Sequence, residues 1–440
     1  MDFKNKRVVI MGLGLLGGGA GAAKFFVSHG AHVVVTDTKT RDKLEGTRGE
    51  LSGFDIEYVL GGHREKDFTQ ADLILKNPSV PSDSPFLSLA RKQGIPVHMS
   101  ESLFMSLSPT KNIIGVTGTR GKSTTTALIF RVLLSAGKHV HTAGNIPGQS
   151  TLSLLDQVDS SSWVVLELSS WQLESFGWWK ISPHIAVLTN IYEDHLNRYA
   201  SMDEYIADKQ QIFMHQKKDD VFVVNGSRQI TRNIAGHAPS RTVYFDATMW
   251  PSTERLQIPG GHNIENAAAC LTVCRQLGVD DRTIISAISS FSGLPGRLEC
   301  IRELDGVRYI NDTTSTTPVA AISGMHAFPS QSIVLIAGGS SKRLPVDALA
   351  DEIMTQCKAL VLIKGDGTDE LVRKLVEKGY TIDPADVYET LSAAVTNARK
   401  KASPGDIILF SPGFASFSMY TNEFERGNDY VTTVTSLHAS

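Results

Sequence analysis

The sequence predicts an α/β protein built mainly from parallel sheets and divided into more than one domain. Three observations carry that reading. Short apolar runs of strand length recur at helix-length intervals from Arg7 to Phe410, the pattern of repeated βαβ units. Two glycine-rich turns, Gly12-x-Gly14-x-x-Gly17 and Gly118-Thr-Arg-Gly121-Lys122-Ser123, each follow such a run and precede a helix-like segment. A length of 440 residues exceeds what one ordinary core holds.

In the first block, Arg7-Val-Val-Ile-Met11 reads as a buried strand and Gly18 to Ser28 as a small-residue helix. His32-Val-Val-Val-Thr36 is a second strand ending at Asp37, and Ala71-Asp-Leu-Ile-Leu75 and Ile95-Pro-Val-His98 are further strands. Glycines after the first strand and an acid after the second suit a bound phosphate; the same glycines also serve if they only allow helix and strand to pack closely.

A second block starts near residue 101. Its short run Ile113-Ile114, glycine-rich loop and amphipathic segment Ala127 to Leu134 read as strand, loop and helix. Backbone N–H groups of such a loop converge at a helix N-terminus, where the dipole favours anions. Lys122 is placed to reach the terminal phosphates of a nucleoside triphosphate, and the Ser123 hydroxyl to ligate Mg²⁺. The first glycine of the common phosphate-loop spacing falls at Val116, and Gly118 supplies the flexibility instead. Strands Trp163-Val-Val-Leu-Glu167 and Ile185-Ala-Val-Leu-Thr189 follow. A third block begins after Gly293-Leu-Pro-Gly-Arg297. It contains the strands Val307-Arg-Tyr-Ile310, Ile333-Val-Leu-Ile336, Ala359-Leu-Val-Leu-Ile363 and Asp406-Ile-Ile-Leu-Phe410.

Composition narrows the classes. Hydrophobic content of 41%, charged content of 20% and a net charge of −3 describe a soluble globular chain with no electrostatic call for nucleic acid or an anionic membrane. No run of about 18 apolar residues offers a membrane span. The first residues lead straight into Val8-Val-Ile10, too short and too acidic a start for a signal peptide, so a reducing cytoplasm is expected. Of four cysteines, Cys270 and Cys274 fall on one helix face as small apolar side chains, and Cys300 and Cys357 lack zinc-site companions.

Several polar residues sit where chemistry is expected. Glu167 ends a strand in the phosphate-loop block, a place to hold Mg²⁺. Asn190, Asp194 and His195 follow the next strand, and a neutral imidazole there can ligate a second cation or position a phosphate oxygen. Lys209, on a helical stretch from Met202 to Phe213, reads on its own as a solvated lysine. Asn263 and Asn266 are three apart on one helix face, suited to an adenine edge or a phosphate, although Asn263 serves equally as a cap. Arg297 is a phosphate clamp by type, and Asp312 repeats the strand-end acid.

Together these pieces resemble the Mur ligase family, ATP-dependent amide-forming enzymes of peptidoglycan precursor synthesis. The matching segments are Gly118 to Ser123, Gly144-Asn-Ile146, Glu167-Leu-Ser-Ser-Trp-Gln-Leu-Glu174, Glu193-Asp-His195, Lys209, His262-Asn-x-x-Asn266, Gly293 to Arg297, Asn311-Asp312, and Ser411-Pro412 through Arg426-Gly427, in family order along nearly the whole chain. The length and Gly12-Leu-Gly-Leu-Leu-Gly17 look like the glutamate-adding branch.

The resemblance implies three domains: a Rossmann-like UDP-substrate domain (1–100), a central ATPase domain (101–298) and a Rossmann-like amino-acid domain (299–440). It implies that Leu15, Leu16, Asp37, Thr38, Lys39 and Asn145 hold the UDP substrate. Gly118, Thr119, Gly121, Lys122, Ser123, Thr124, Asn266, Arg297 and Asp312 would hold ATP. Thr316, Lys342, Ser416 and Phe417 would hold the amino acid. Two Mg²⁺ ions would sit on Ser123, Glu167, His195 and a carbamylated Lys209, with Lys122, Lys209 and His195 serving catalysis. The implied partners are UDP-N-acetylmuramoyl-L-alanine and glutamate, D-glutamate by default, bound by a monomer.

Some positions depart from the family pattern. Arg120 replaces a common Asn, Thr314 a usual Lys and Ser418 a usual Asp, Glu423 is an added acid, and the first-domain turn reads Asn77-Pro78-Ser79. The changes near the amino-acid end raise L-glutamate or another acceptor as an alternative. A nicotinamide oxidoreductase built on the first glycine motif is a remote alternative that leaves Lys122, Glu167 and His195 idle.

Overall fold

Three α/β sheets form the molecule, all of parallel strands except for one edge strand of the third. The computed structural model describes residues 2–14, 17–146, 148–194, 198–383, 386–417 and 419–439. The first sheet has the order β3-β2-β1-β4-β5, from strands Arg7–Met11 (β1), His32–Asp37 (β2), Ile56–Leu60 (β3), Leu73–Lys76 (β4) and Val97–His98 (β5), all parallel. Continuous runs such as Val8-Val-Ile-Met11 form strands buried on both faces, as a parallel sheet between helices requires.

The second sheet is also parallel, in the order β11-β10-β9-β6-β8-β7. Its strands are Ile113–Thr117 (β6), Val140–Gly144 (β7), Trp163–Glu167 (β8), Ile185–Leu188 (β9), Val221–Asn225 (β10) and Arg241–Phe245 (β11). Strand β6 is central, so the loop after it and the ends of β8 and β9 beside it meet at the carboxyl edge, where ligands of such sheets bind.

The third sheet has the order β12-β13-β17-β14-β15-β16. It comprises Glu299–Leu304 (β12), Val307–Asn311 (β13), Ile333–Gly338 (β14), Cys357–Ile363 (β15), Val387–Tyr388 (β16) and Ile407–Phe410 (β17), with only β12 antiparallel. Alternation along β14 supplies two cores: Ile333, Leu335 and Ala337 pack on one face, Val334 and Ile336 on the other. The chain clusters into two compact units. One, Met1–Ile191 with Asp203–Met249 and Ala268–Ala287, holds the first two sheets; the other, Tyr192–Met202 with Trp250–Ala267 and Ile288–Ser440, holds the third.

The predicted strands form with shifts of one or two residues, and β4 begins at Leu73 rather than Ala71. The helix carrying Lys209 stops at Gln210, short of the expected Phe213. Strands β3, β7, β11, β12 and β16 escape sequence prediction because they lie at or near sheet edges and alternate with polar residues. Strand β10 has no such excuse, since Val221-Phe-Val-Val is fully buried. Cys270 and Cys274 pack in the core as expected. No helix among the described residues is long and apolar enough to cross a membrane.

Within the first unit, side chains from the first two sheets meet directly. Trp179 Nε1 donates to Val97 O at 2.9 Å, and its ring stacks on His98 at 3.9 Å and 8°. Burial pulls the His98 pKa down to about 4 from its ordinary 6.5. Unfolded His98 gains its proton near pH 6.5, whereas folded His98 stays neutral until about pH 4. Stability therefore falls as pH drops through that window, by about 2 kcal/mol between pH 7.5 and 5. Urea unfolding of His98→Phe, which keeps an aromatic partner for Trp179, is expected to lose that part of the pH dependence; an unchanged slope would contradict the assignment.

Candidate active site

The loop after β6 is shaped by its neighbours. Gly118 has φ +151°, and a Cβ there would fall 1.9 Å from Thr189 Oγ1. Asn190, just past β9, straps the loop from three sides: its carbonyl accepts from Thr119 N at 3.0 Å, its Oδ1 from Arg120 N at 2.8 Å, and its Nδ2 donates to Arg120 O at 3.2 Å. Thr189 Oγ1 adds a bond to Arg120 O at 2.5 Å, and Thr119 Oγ1 meets Tyr205 OH at 3.0 Å. Gly121 then enters the helix Lys122–Ser135 at φ +79°. The result is a fixed concave turn at a helix N-terminus, with Ser123 and Thr124 in its first turn.

Two lysines converge on one carbonyl of this loop. Lys122 Nζ donates to Gly118 O and Thr119 O, each at 3.1 Å. Lys209 Nζ donates to the same Gly118 O at 2.9 Å and to Thr117 Oγ1 at 3.5 Å, and sits 4.8 Å from the Tyr205 ring centre. The solvated reading of Lys209 is overturned: it is 2% exposed, on a helix face with Tyr205 one turn before it.

Beside the loop, Glu167 is buried at the end of β8 and pairs in register with Val116 of β6. Asn145 caps it, with N donating to Glu167 O at 2.8 Å and Nδ2 to Oε1 at 3.1 Å. Glu167 Oε2 receives no donor among the described residues. His195 lies outside the described residues, as do Leu15, Leu16 and Ser418; Asp194 is buried.

At the first sheet, Asp37 is buried, and it holds the glycine turn together: Oδ2 accepts from Leu13 N and Oδ1 from Lys39 N, both at 2.9 Å. Thr38 and Lys39 are exposed just beyond it. Asn77 closes over the turn, its side chain within 3 Å of where a Cβ of Gly12 or Gly14 would lie.

In the second unit, Asp312 lies past β13 and is buried. Its Oδ1 accepts from Leu298 N at 3.2 Å, and its Oδ2 from Ser315 Oγ at 2.5 Å and Ser411 Oγ at 2.7 Å. Burial raises its pKa to about 6, opposed by those donors and by the charge of Arg297. Lys342 Nζ donates to Thr316 Oγ1 at 3.0 Å. Ser416 Oγ is buried with no protein partner among the described residues, next to Phe417, which is 72% exposed. Asn266 Nδ2 donates to Asn263 Oδ1 at 3.0 Å, and Asn263 Nδ2 caps Pro259 O at 2.6 Å. Arg426 is fully buried, donating to Thr313 O at 2.9 Å and Phe414 O at 3.2 Å, which ties the loops after β13 and β17. Sequence reasoning misses Thr189, Tyr205 and Ser315. Only Tyr205 left a signal, its four-residue spacing from Lys209.

Comparison with known proteins gives three family models along the chain: Mur ligase MurD-like, N-terminal domain over residues 6–99, Mur ligase middle domain over 116–249, and Mur ligase, glutamate ligase domain over 296–414. Proteins named UDP-N-acetylmuramoylalanine--D-glutamate ligase are similar over almost their whole length. That of Roseiflexus sp. (strain RS-1) is 40% identical, covering 99% of this chain and 100% of the relative, and that of Borreliella afzelii is 34% identical, covering 99% of each. Among solved structures, UDP-N-acetylmuramate-alanine ligase from Thermotoga maritima has a TM-score of 0.63 at 19% identity, covering 98% of this chain and 100% of that one. The MurF ligase of the same organism, solved with ADP, scores 0.58 at 18% identity, covering 98% and 95%. At those identities the likeness is one of fold.

The strap on the loop makes a prediction. Asn190→Ala removes both side-chain contacts to Arg120 and leaves the backbone bond to Thr119 in place. The expected result is a rise of about tenfold in the Kd for ATP, worth ~1.4 kcal/mol, with the protein still folded by circular dichroism. Equilibrium binding of a fluorescent ATP analogue measures it, and unchanged affinity would remove the strap's role.

Proposed function

The chain belongs to the Mur ligase family, and from that premise we propose that it joins D-glutamate to UDP-N-acetylmuramoyl-L-alanine with cleavage of ATP. The observation that carries the reading is the strapped loop with Lys122 and Lys209 on one carbonyl, inside a chain that matches glutamate-adding ligases end to end. The proposed domain limits are 1–100, 101–298 and 299–440, and the proposed setting is the cytoplasm, as a monomer.

A carboxylate is a poor electrophile for an amine. The acceptor carboxylate first attacks the γ-phosphorus, the bond to ADP breaks, and an acyl phosphate forms. The glutamate amine then attacks the acyl carbon, the C–O bond to phosphate breaks, and the amine gives up a proton as the amide forms. Crowded phosphate oxygens must be neutralised throughout. Lys122, held by the loop in the resting protein, would turn from the carbonyls to the phosphates. Loop N–H groups from Gly121 to Thr124 would complete the cradle, and Gly118, Thr119, Asn266, Arg297 and Asp312 are assigned to ATP as well. Asp37, Thr38, Lys39 and Asn145, with Leu15 and Leu16, would bind the UDP substrate. Thr316, Lys342, Ser416 and Phe417 are assigned to glutamate, and the unpartnered buried hydroxyl of Ser416 is consistent with a ligand bond there.

The donor set fits Mg²⁺: a buried carboxylate with one oxygen uncommitted among the described residues, and the Ser123 hydroxyl at the loop. Ser123, Glu167 and His195, with Lys209 as its carbamate, would hold two ions. When bound, they would offset the negative charge of the transferring phosphoryl group. Carbamylation of Lys209 is supported by its burial beside the loop, where a carbamate would give an anionic oxygen donor for a cation next to the Lys122 ammonium.

Phosphate release is expected only when ATP, Mg²⁺, the UDP-muramoyl-alanine acceptor and D-glutamate are all present, and Lys122→Ala should lose about 10³-fold in kcat. Equal turnover of L-glutamate would replace the stereochemical assignment. Lys209→Ala is expected to be inactive, and wild-type protein stripped of carbon dioxide should regain activity with bicarbonate. Full activity of the variant would dismiss the carbamate.

A further inference from the structure

One buried carboxyl plays no part in the chemistry above. Glu101 is 4% exposed, on the helix Ser100–Leu107 in the connection between the first two sheets. Two arms leave it. Thr151 Oγ1 donates to Glu101 Oε1 at 3.0 Å, and the same hydroxyl accepts from Gly144 N, the last residue of β7, at 3.2 Å. The Gln172 side chain also lies near the Glu101 carboxyl and favours its charged form against the burial that disfavours it. Gln172 Oε1 in turn accepts from Ser169 N at 2.9 Å and Ser169 Oγ at 2.8 Å, two residues past Glu167.

The two arms thus end on either side of the Asn145–Glu167 pair. The strand exits leave little slack between them. Gly144 is in register with Glu167, and a Cβ at Gly144 would fall 2.0 Å from Glu167 O. The segment carrying Thr151 is pinned on its far side as well, since a Cβ on Gly21 would lie 2.4 Å from Ser150 Cβ and one on Gly17 would lie 3.5 Å from Gly148 Cα. A shift of Thr151 or Gln172 would therefore be passed to Asn145 and Glu167.

We propose that Glu101 is a positioning residue, one carboxyl that bridges the exits of β7 and β8 and so sets the place of Glu167 for the cation of the nucleotide site. The inference rests on the ligase reading only for what Glu167 holds. A carboxyl that orients a ligand-bearing strand from behind is the outer-shell arrangement that metal sites depend on.

The test uses the full-length protein and Mn²⁺ as the probe, followed by electron paramagnetic resonance in the presence of ATP. Glu101→Leu removes both arms and Thr151→Val removes one; each is expected to weaken Mn²⁺ binding about five- to tenfold. The double variant should be no worse than the weaker single one, because both act along one path, and Thr151→Ser should restore affinity. In turnover, the Mg²⁺ half-saturation should rise by the same factor while the KM for glutamate stays within about twofold. Wild-type Mn²⁺ affinity in variants that merely melt earlier, or additive losses in the double variant, would overturn the proposal. If Glu101→Leu does not fold, Glu101→Gln and Thr151→Val decide it. Failure of the wild type to release phosphate would instead strike the ligase reading, and the Mn²⁺ comparison would still stand.

Discussion

The end of β9 is the constraint on which the nucleotide loop depends. A glycine-rich loop has conformational freedom that must be removed before its N–H groups can act as a preformed anion site, and fixing each residue costs about 1–2 kcal/mol. Thr189 and Asn190 meet that cost with hydrogen bonds to two consecutive loop residues, Thr119 and Arg120, and Thr189 leaves no room for a side chain at Gly118. This works because β6 lies between β8 and β9 in a parallel sheet, so the three strand ends open on the same edge. Sequence order separates Gly118, Glu167 and Asn190 widely; sheet order makes them neighbours.

From that geometry the charge problem follows. A site for a triphosphate must be cationic, yet cations without ligand repel one another. The resting protein answers by lending its loop carbonyls to Lys122 and Lys209. Those carbonyls are dipoles, and each such bond holds a lysine less tightly than a full counter-charge would.

What was legible in the sequence divides along a physical line. Central parallel strands, the two glycine turns and the strand-end acids announce themselves, because burial on both faces demands continuous apolar runs and phosphate approach demands glycine. Lys209 did not: nothing in a polar helix tells which lysine faces inward, and only the family resemblance singled it out. Edge strands such as β3 and β11 stayed hidden because half their residues face water. Thr189, Ser315 and Glu101 stayed hidden for another reason. Their roles lie in hydrogen bonds to residues far away in sequence, and no local pattern encodes such a partner.

The departures near the amino-acid end illustrate how local structure can answer an electrostatic objection. An added acid such as Glu423 near a dianionic substrate is electrostatically costly unless its charge is offset. In the fold it opens the helix Glu423–Thr435, whose N-cap Asn422 accepts from Phe424 N and Glu425 N, and a negative charge there is favoured by the helix dipole. Its charge also acts on the buried Arg426 guanidinium, and its carbonyl accepts from Thr313 Oγ1. Thr314, in place of a lysine, spends its hydroxyl on Gly296 O in the turn that leads to Arg297. The added acid thus has both a dipole and a cation to offset it, and Lys342 keeps its bond to Thr316. These compensations are internal to the loops after β13 and β17, so the changes in sequence need not alter which glutamate the pocket selects.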